Sequence, residues 1–312
     1  MKKTLIATAI AGAMSFSVAA QAAPTVYGNI QLAIDIENDN TAVNNGSTIG
    51  FKGEEALDNG LTGIYKAEFE FNAGAQKGQF STDTDNDGKD DLVSGLSKGD
   101  NAYLGVKGGF GTVRVGSFDT VADDLISDAI FGEEFKGGEF SAFGGDNREW
   151  QQVQYSGEFG ALEVRASVNM NGTEKADSRG DGDKDLSNAA QIGAKFAVAE
   201  GISVAAVFDS YDSAAGVAAT ADMDALSFGA AFETNDDIDY VASGSAAFNY
   251  GMGNVYAIVS MFDTGDIDGN RTTAGASYNL GQSMYVYAEV VSGDNDDLSD
   301  AKSTAIGAIL SF

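Results

Sequence analysis

The chain has 312 residues, with 47 acidic side chains against 18 basic ones, a formal charge of −29, and neither Cys nor His. Without Cys there are no disulfides, thiolate nucleophiles or Cys-ligated metal centres, and without His there is no Ser-His or Asp-His catalytic pair. The strong negative charge argues against nucleic acid as a partner, whereas 43% hydrophobic residues argue against disorder. We therefore expect a folded protein that is not an enzyme.

The first 22 residues are typical of a secretory signal peptide. Lys2 and Lys3 precede a short apolar run at 4–18, and Ala20-Gln21-Ala22 fits the small-x-small rule for cleavage. The apolar run is too short to span a bilayer well. The sequence thus predicts an exported protein whose mature part covers 23–312.

Beyond residue 22 the apolar residues alternate with period 2, which predicts strands with one dry and one wet face. In 25–36, for example, Val26, Ile30 and Leu32 oppose Asn29 and Gln31. Fifteen such strands are evident, and an Ala-rich sixteenth at 214–221 is needed to give an even number. The predicted strands lie near 25–36, 47–53, 61–72, 100–108, 111–118, 149–157, 161–171, 189–198, 202–208, 214–221, 225–233, 239–250, 254–262, 271–279, 283–292 and 302–312.

The connections between these strands differ in length. Short ones near 196–201 and 279–282 alternate with long acidic ones such as 72–99 and 171–188. Outer-membrane barrels show this asymmetry, with short periplasmic turns and long external loops. The sequence therefore predicts an all-β fold, a 16-stranded antiparallel transmembrane β-barrel. A soluble sandwich or solenoid is the architectural alternative.

Several Gly-rich pieces of the chain form recognisable motifs. They are Ile49-Gly50-Phe51-Lys52-Gly53-Glu54-Glu55 with Asn59-Gly60-Leu61, Asn101-Ala102-Tyr103-Leu104-Gly105-Val106-Lys107-Gly108-Gly109-Phe110-Gly111-Thr112-Val113, and Phe143-Gly144-Gly145-Asp146-Asn147-Arg148. The terminal Phe312 on an alternating strand resembles the C-terminal assembly signal of barrel proteins. Together these pieces resemble one known family, the Gram-negative general porins, and its vibrio-type members most.

The resemblance implies a homotrimer in the Gram-negative outer membrane, with lipid, lipopolysaccharide and the barrel-assembly machinery as partners. It also implies an inward-folded third loop, here about 117–147, whose acids face basic groups on the wall. The candidate constriction acids are Asp119, Asp123, Asp124, Glu133 and Glu134. The candidate wall residues are Lys52, Lys66, Glu68, Asp100, Arg114 and Arg148, and strand parity adds Arg165.

The wall departs from the family pattern at three positions. Thr48, Asp100 and Ser117 stand where the family often has Arg. These changes weaken the basic side of the constriction and give it an acidic bias. We therefore expect a water-filled pore for passive diffusion of small hydrophilic solutes and ions, with a preference for cations.

An acidic loop contains Asp83-x-Asp85-x-Asp87-Gly88, followed by Asp91. This spacing resembles the start of an EF-hand loop, but Ser94 stands where the final Glu would be, and no flanking helix is visible. Two interpretations stay open, a solvated loop tip and a weak calcium site. We expect no other cofactor.

Two functional alternatives remain. A secreted or surface calcium-binding β protein or adhesin would explain the Asp repeats but neither Phe312 nor the asymmetry of the connections. Within the porin class, a solute-specific sugar channel would need an aromatic ladder along the lumen, and Trp150 is the only Trp.

Overall fold

The computed structural model describes residues 23–36, 41–74, 81–82, 91–92, 98–131, 135, 140–143, 151–170, 189–211, 213–265, 268–295 and 302–312. The predicted signal peptide, 1–22, lies outside the described residues. Sixteen antiparallel strands form one closed barrel, in which each strand pairs with its neighbours in the chain and β1 pairs with β16. The fold prediction is therefore confirmed.

The strands are β1 (Thr25–Asp35), β2 (two segments, Thr41–Asn44 and Thr48–Ala56), β3 (Thr62–Glu70), β4 (Lys98–Gly108), β5 (Gly111–Ser117), β6 (Gln152–Phe159), β7 (Leu162–Asn169), β8 (Ala190–Ala199), β9 (Ile202–Asp209), β10 (Ala215–Met223), β11 (Leu226–Thr234), β12 (Tyr240–Asn249), β13 (Asn254–Asp263), β14 (Asp268–Asn279), β15 (Met284–Asn295) and β16 (Lys302–Ser311). Strand β10 corresponds to the Ala-rich strand predicted at 214–221, which was needed to give an even number of strands.

The remaining elements are short. One α-helix, α1 (Val121–Leu125), and two 3-10 turns, Asp58–Gly60 and Ser127–Ala129, lie between strands. Ser81–Thr82 pairs with Asp91–Leu92 in a separate two-stranded sheet. Among the described residues, no helix is long and apolar enough to cross a membrane.

Strand β2 is interrupted at 45–47, a feature that the alternation did not predict. Gly46 adopts a φ of +82°, and the Ser47 side chain turns into the barrel, where it is fully buried. The Gln31 N–H donates to Ser47 Oγ at 2.9 Å and so replaces a missing bond of the ladder. Both segments of β2 pair with β1, so the interruption leaves the barrel closed.

Apolar side chains cover the outside of the barrel and polar side chains line much of the inside. Leu104, Val26 and Phe159 are 60–68% exposed on the outer surface. Inward positions follow from the cross-strand register, which pairs Lys52 with Lys66 and Arg114 with Gln154 on the lumen side. This is the arrangement of a barrel whose outer face meets lipid and whose lumen is polar.

Gly28 of β1 and the last residue, Phe312, meet at the end of the barrel that carries the short turns. Gly28 N–H donates to the Phe312 carbonyl and Phe312 N–H donates to the Gly28 carbonyl, each at 3.0 Å. These bonds extend the pairing of β1 with β16 to the last residue. Phe312 is therefore part of the closing seam, with its ring 56% exposed on the outer surface.

Candidate pore constriction

The segment after β5 turns inward and forms its own short helix inside the barrel. Thr120 caps α1, because Thr120 Oγ1 accepts a hydrogen bond from Asp123 N–H at 3.1 Å and Asp123 Oδ2 accepts one from Thr120 N–H at 3.0 Å. Such a capping box satisfies the free N–H groups of a first turn. Asp123, a predicted constriction acid, is thus engaged in the helix cap.

An apolar contact fixes the loop against one side of the lumen. We call the inward faces of β8 to β13 the covered wall and those of β1 to β7 the open wall. The loop and the covered wall share one buried cluster, made of Val121, Ala122, Leu125, Ile126, Ala129, Ile130 and Phe143 on the loop, Ala205, Val207, Ala218, Ala231 and Ile258 on the strands, and Ala214 just before β10. The lumen therefore contains a small hydrophobic core of its own.

Inward-facing glycines on the covered wall leave room for the loop. A Cβ on Gly229 would overlap the carbonyl oxygen of Ala129. A Cβ on Gly193 would lie 2.8 Å from side-chain atoms of both Val121 and Leu125. These distances are too short for ordinary van der Waals contact, so glycine at these two positions allows the loop to lie close to the wall.

Polar side chains of the covered wall bind the loop backbone. Gln191 Oε1 accepts a hydrogen bond from Ala122 N–H at 3.1 Å. The Glu233 carboxylate accepts hydrogen bonds from Ala142 N–H and Ser141 Oγ–H, both at 2.8 Å. Because buried backbone N–H groups need partners, these side chains determine where the loop is held.

A further contact lies on the far side of the barrel. The Phe135 N–H donates to Glu289 Oε1 at 3.3 Å, and Tyr256 Oη–H donates to Glu289 Oε2 at 2.7 Å. The Phe135 side chain packs against a cluster that contains Tyr287 and Ile309. The loop thus extends across the lumen from β5 to β15.

Asp124 joins the loop to the open wall through two arginines. Its carboxylate pairs with Arg114 Nη2 at 3.3 Å and with Arg165 Nη1, and Arg165 Nε in turn pairs with Glu163 Oε1 at 2.6 Å. Gln154 Oε1 accepts two hydrogen bonds from Arg114, at 2.8 and 3.1 Å. These four charged groups are about one-fifth to one-quarter exposed, so their interaction is less screened than that of surface ion pairs.

Burial inside the lumen raises the pKa values of two acids of the loop, Asp124 and Asp128. Desolvation raises the pKa of Asp124 to about 6, although Arg165 and Arg114 favour its charged form. Desolvation also raises the pKa of Asp128, and the negative charges of Asp119 and Asp123 act in the same direction. Both carboxyls are therefore easier to protonate than free aspartate.

Two of the loop acids are exposed. Asp119 is exposed and accepts a hydrogen bond from Asn101 Nδ2 at 3.2 Å. Asp128 is also exposed. Both carboxylates are therefore accessible to water.

The open wall carries a second group of charges around Tyr27. The ammonium groups of Lys52 and Lys66 lie 4.8 and 5.7 Å from the centroid of the Tyr27 ring. Lys66 Nζ also pairs with Glu68 Oε1 at 3.2 Å. All three predicted wall residues in this group face the lumen.

Several predicted site residues fall outside the described part of the chain, namely Glu133, Glu134, Arg148, Asp83, Asp85 and Asp87, together with the side chains of Asp91 and Asp100. Among the residues that the structure describes, no group of three or more Asp and Glu side chains could hold a metal ion.

The sequence interpretation missed Gln191, Glu233 and Glu289, which hold the loop, and Glu163, which pairs with Arg165. Their polarity does not distinguish them from other lumen residues. The part of the covered wall on which the loop packs could have been recognised from the sequence. The inward positions in the middle of β9 to β11 are Ala, Gly and Val, whereas a water-filled lumen favours polar side chains there.

A sixteen-stranded barrel with a loop folded into its polar lumen is the architecture of a diffusion channel. The sequence model of the Gram-negative porins matches residues 7–298. The chain belongs to the Gram-negative porin family and is a channel of the Gram-negative outer membrane, not an enzyme.

Two relatives from Halomonas are each 30% identical to this chain over 390 aligned residues that cover both proteins completely. One is named monosaccharide porin, from Halomonas sp., and the other major outer membrane protein, from Halomonas elongata. Major outer membrane protein P.IB of Neisseria meningitidis is 33% identical over 141 residues, which cover 40% of this chain and 36% of that protein.

Solved structures show the same fold. The trimer form of OmpT, an outer membrane protein of Vibrio cholerae, matches with a TM-score of 0.68 and 18% identity over 93% of this chain and 99% of that chain. A variant of the Rh. blastica porin matches with a TM-score of 0.68 and 18% identity over 93% and 100% of the two chains.

Proposed function

We propose that this porin is a passive diffusion channel that prefers cations. The observation that carries the proposal is the charge pattern at the constriction: Asp124 pairs with both Arg114 and Arg165, whereas Asp119 and Asp128 are exposed and form no ion pair with the described residues. Fixed charge in a narrow pore acts at close range, because the Debye length is about 8–10 Å at physiological salt. Exposed acids near the constriction therefore favour cations over anions.

The test is a reversal-potential measurement in planar bilayers across a KCl gradient. We expect a potential whose sign shows K⁺ to be more permeant than Cl⁻, and a larger potential in dilute salt, where screening is weaker. The paired variants Asp119→Asn and Asp128→Asn should reduce it. Anion preference in the unmodified pore would contradict the proposal.

We also propose that the chain forms a homotrimer. The proposal rests on family membership and on the structural similarity to OmpT, which is solved in a trimer form. Phe312, at the closing seam, is proposed to serve as the recognition signal for the barrel-assembly machinery. Chemical cross-linking of the protein in mild detergent should give a trimer, and monomers alone would rule the trimer out.

Passage of sugars is a second candidate function. A relative that is 30% identical along the whole chain is named monosaccharide porin. The observation that favours this candidate is the group around Tyr27, where an aromatic ring, two ammonium groups and a carboxylate meet on the open wall. A liposome-swelling assay with monosaccharides of equal size tests it, and swelling rates that depend on size alone would contradict it.

A further inference from the structure

The Tyr27 ring packs against the open wall at Gly50. A Cβ on Gly50, in the neighbouring strand, would lie 2.9 and 3.0 Å from the Oη and Cζ atoms of Tyr27, so the ring occupies the space that a side chain would need. Tyr27 and Gly50 are partners in the register of β1 and β2. The ring is thereby fixed, and the ammonium groups of Lys52 and Lys66 lie over it.

The two lysines beside this ring are partners in the register of β2 and β3. Like charges at directly opposite positions destabilise a sheet pair, so their placement needs a compensating charge. Glu68 supplies one for Lys66. Lys52 is exposed and makes no ion pair with any carboxylate of the described residues, which leaves one ammonium group of this cluster uncompensated.

We propose that Tyr27, Lys52, Lys66 and Glu68 form a subsite for a sugar acid, a monosaccharide that carries a carboxylate. Lys52 binds the carboxylate of the solute. The Lys66–Glu68 pair binds adjacent hydroxyls, because a hydroxyl accepts a hydrogen bond from an ammonium group and donates one to a carboxylate. The Tyr27 ring holds the two ammonium groups in place through cation–π contacts.

This combination separates a sugar acid from two simpler ligands. A neutral sugar would use the Lys66–Glu68 pair but would leave the charge of Lys52 unmatched. A small anion such as acetate would use Lys52 alone. The inference depends on the proposed channel function and narrows its second candidate, sugar passage, to an anionic class.

The test measures block of the single-channel KCl current by glucuronate, glucose and acetate. Since a partly exposed charge pair contributes up to about 1 kcal/mol, or roughly fivefold, we expect glucuronate to halve the current at about one-fifth of the concentration needed for glucose or acetate. Lys52→Gln should remove this advantage over glucose, and Glu68→Gln should weaken block by both sugars.

Lys107→Gln is the matched control. Lys107 also faces the lumen, on β4, but its ammonium group is already paired with Glu54 at 2.5 and 2.6 Å. The control removes the same charge from the pore and should keep the preference for glucuronate. Equal half-blocking concentrations for the three solutes, or equal effects of the two lysine variants, would overturn the subsite. The current recorded without solute tests the channel itself, so a failure of the proposed function is seen separately.

Discussion

The covered wall and the open wall belong to one barrel and follow one alternation, yet their inward residues differ in kind. The open wall presents charged groups, among them Lys52, Lys66 and Arg114. The covered wall presents Ala205, Val207 and their small neighbours beneath the loop. A lumen-facing position is therefore not necessarily a water-facing position.

This difference explains how a pore can be narrowed without losing its polar lining. Burial of apolar surface under the loop stabilises its position, at about 25 cal/mol per Å² of area removed from water. The open wall remains free to contact solutes. One side of the lumen thus supplies stability and the other supplies selectivity, and each can be changed separately.

The largest change in conductance and ion selectivity should come from breaking the contact between the loop and the covered wall. In Gly229→Leu, the side chain would occupy the place of Ala129, and overpacking of this kind costs typically about 1–3 kcal/mol. We expect the loop to leave the wall, with a higher single-channel conductance and a weaker cation preference, while the barrel itself stays folded. Heat-modifiable migration on a denaturing gel checks the barrel, and bilayer recording checks the pore.

Gly244→Leu is the control for this change. Gly244 lies on β12 with its Cα facing outward, and a Cβ there has no heavy atom closer than 3.9 Å. Its conductance should equal that of the unmodified protein. If Gly229→Leu also left conductance and selectivity unchanged, the apolar contact would not be what holds the loop.

The second effect concerns the open wall. Asp124→Asn removes the carboxylate that pairs with both Arg114 and Arg165. Arg165 keeps its ion pair with Glu163, and Arg114 keeps only its hydrogen bonds to Gln154 among the contacts described above. We expect the K⁺/Cl⁻ permeability ratio to fall by about two- to fivefold, because these charges are partly desolvated at the constriction. Asp128→Asn, which removes an exposed carboxylate, should have a smaller effect. An Asp124→Asn pore with an unchanged ratio would show that this charge network does not control the passage.

Lowering the pH should reduce the K⁺/Cl⁻ permeability ratio of the unmodified protein, as Asp124→Asn is expected to do. The pKa of Asp124 is raised to about 6, so its negative charge is present above that pH and is lost as the pH falls through it. The cation preference should therefore be full near pH 7–8 and decline between roughly pH 6.5 and 5. The chain has no His, so no imidazole titrates in this range. Asp124→Asn should show a flatter profile, and equal profiles for the two proteins would contradict the assignment.

The fold could be predicted from the sequence because its signals are local. Alternation along 25–36 identifies a strand, and the need for an even strand number identified β10, which has little apolar contrast of its own. The interruption of β2 could not be predicted, since it depends on a bond between Ser47 and Gln31 of the neighbouring strand β1.

The site could be predicted only in part. Strand parity places Arg114 and Arg165 in the lumen, but the contact of both with Asp124 depends on how the loop crosses the barrel. The sequence marks 214–221 only as an Ala-rich strand, whereas in the structure alanines of β10 and β11, with Gly229, are part of the surface on which the loop lies. Single-sequence alternation does not distinguish a small residue under a loop from one in open water.

The smallest change that can compare the water accessibility of the two walls is a single introduced cysteine. Its thiol is labelled specifically because the native chain has no Cys. Ala218→Cys on the covered wall and Ser156→Cys on the open wall both face the lumen. Because the loop must open locally before a reagent reaches residue 218, a water-soluble maleimide should label Ala218→Cys at least about tenfold more slowly than Ser156→Cys.

Val164→Cys, on the outer face, should remain unlabelled in outer membranes. Adding Gly229→Leu to Ala218→Cys should raise its labelling rate towards that of Ser156→Cys. Equal rates at residues 218 and 156 in the otherwise unmodified protein would show that water reaches both walls alike.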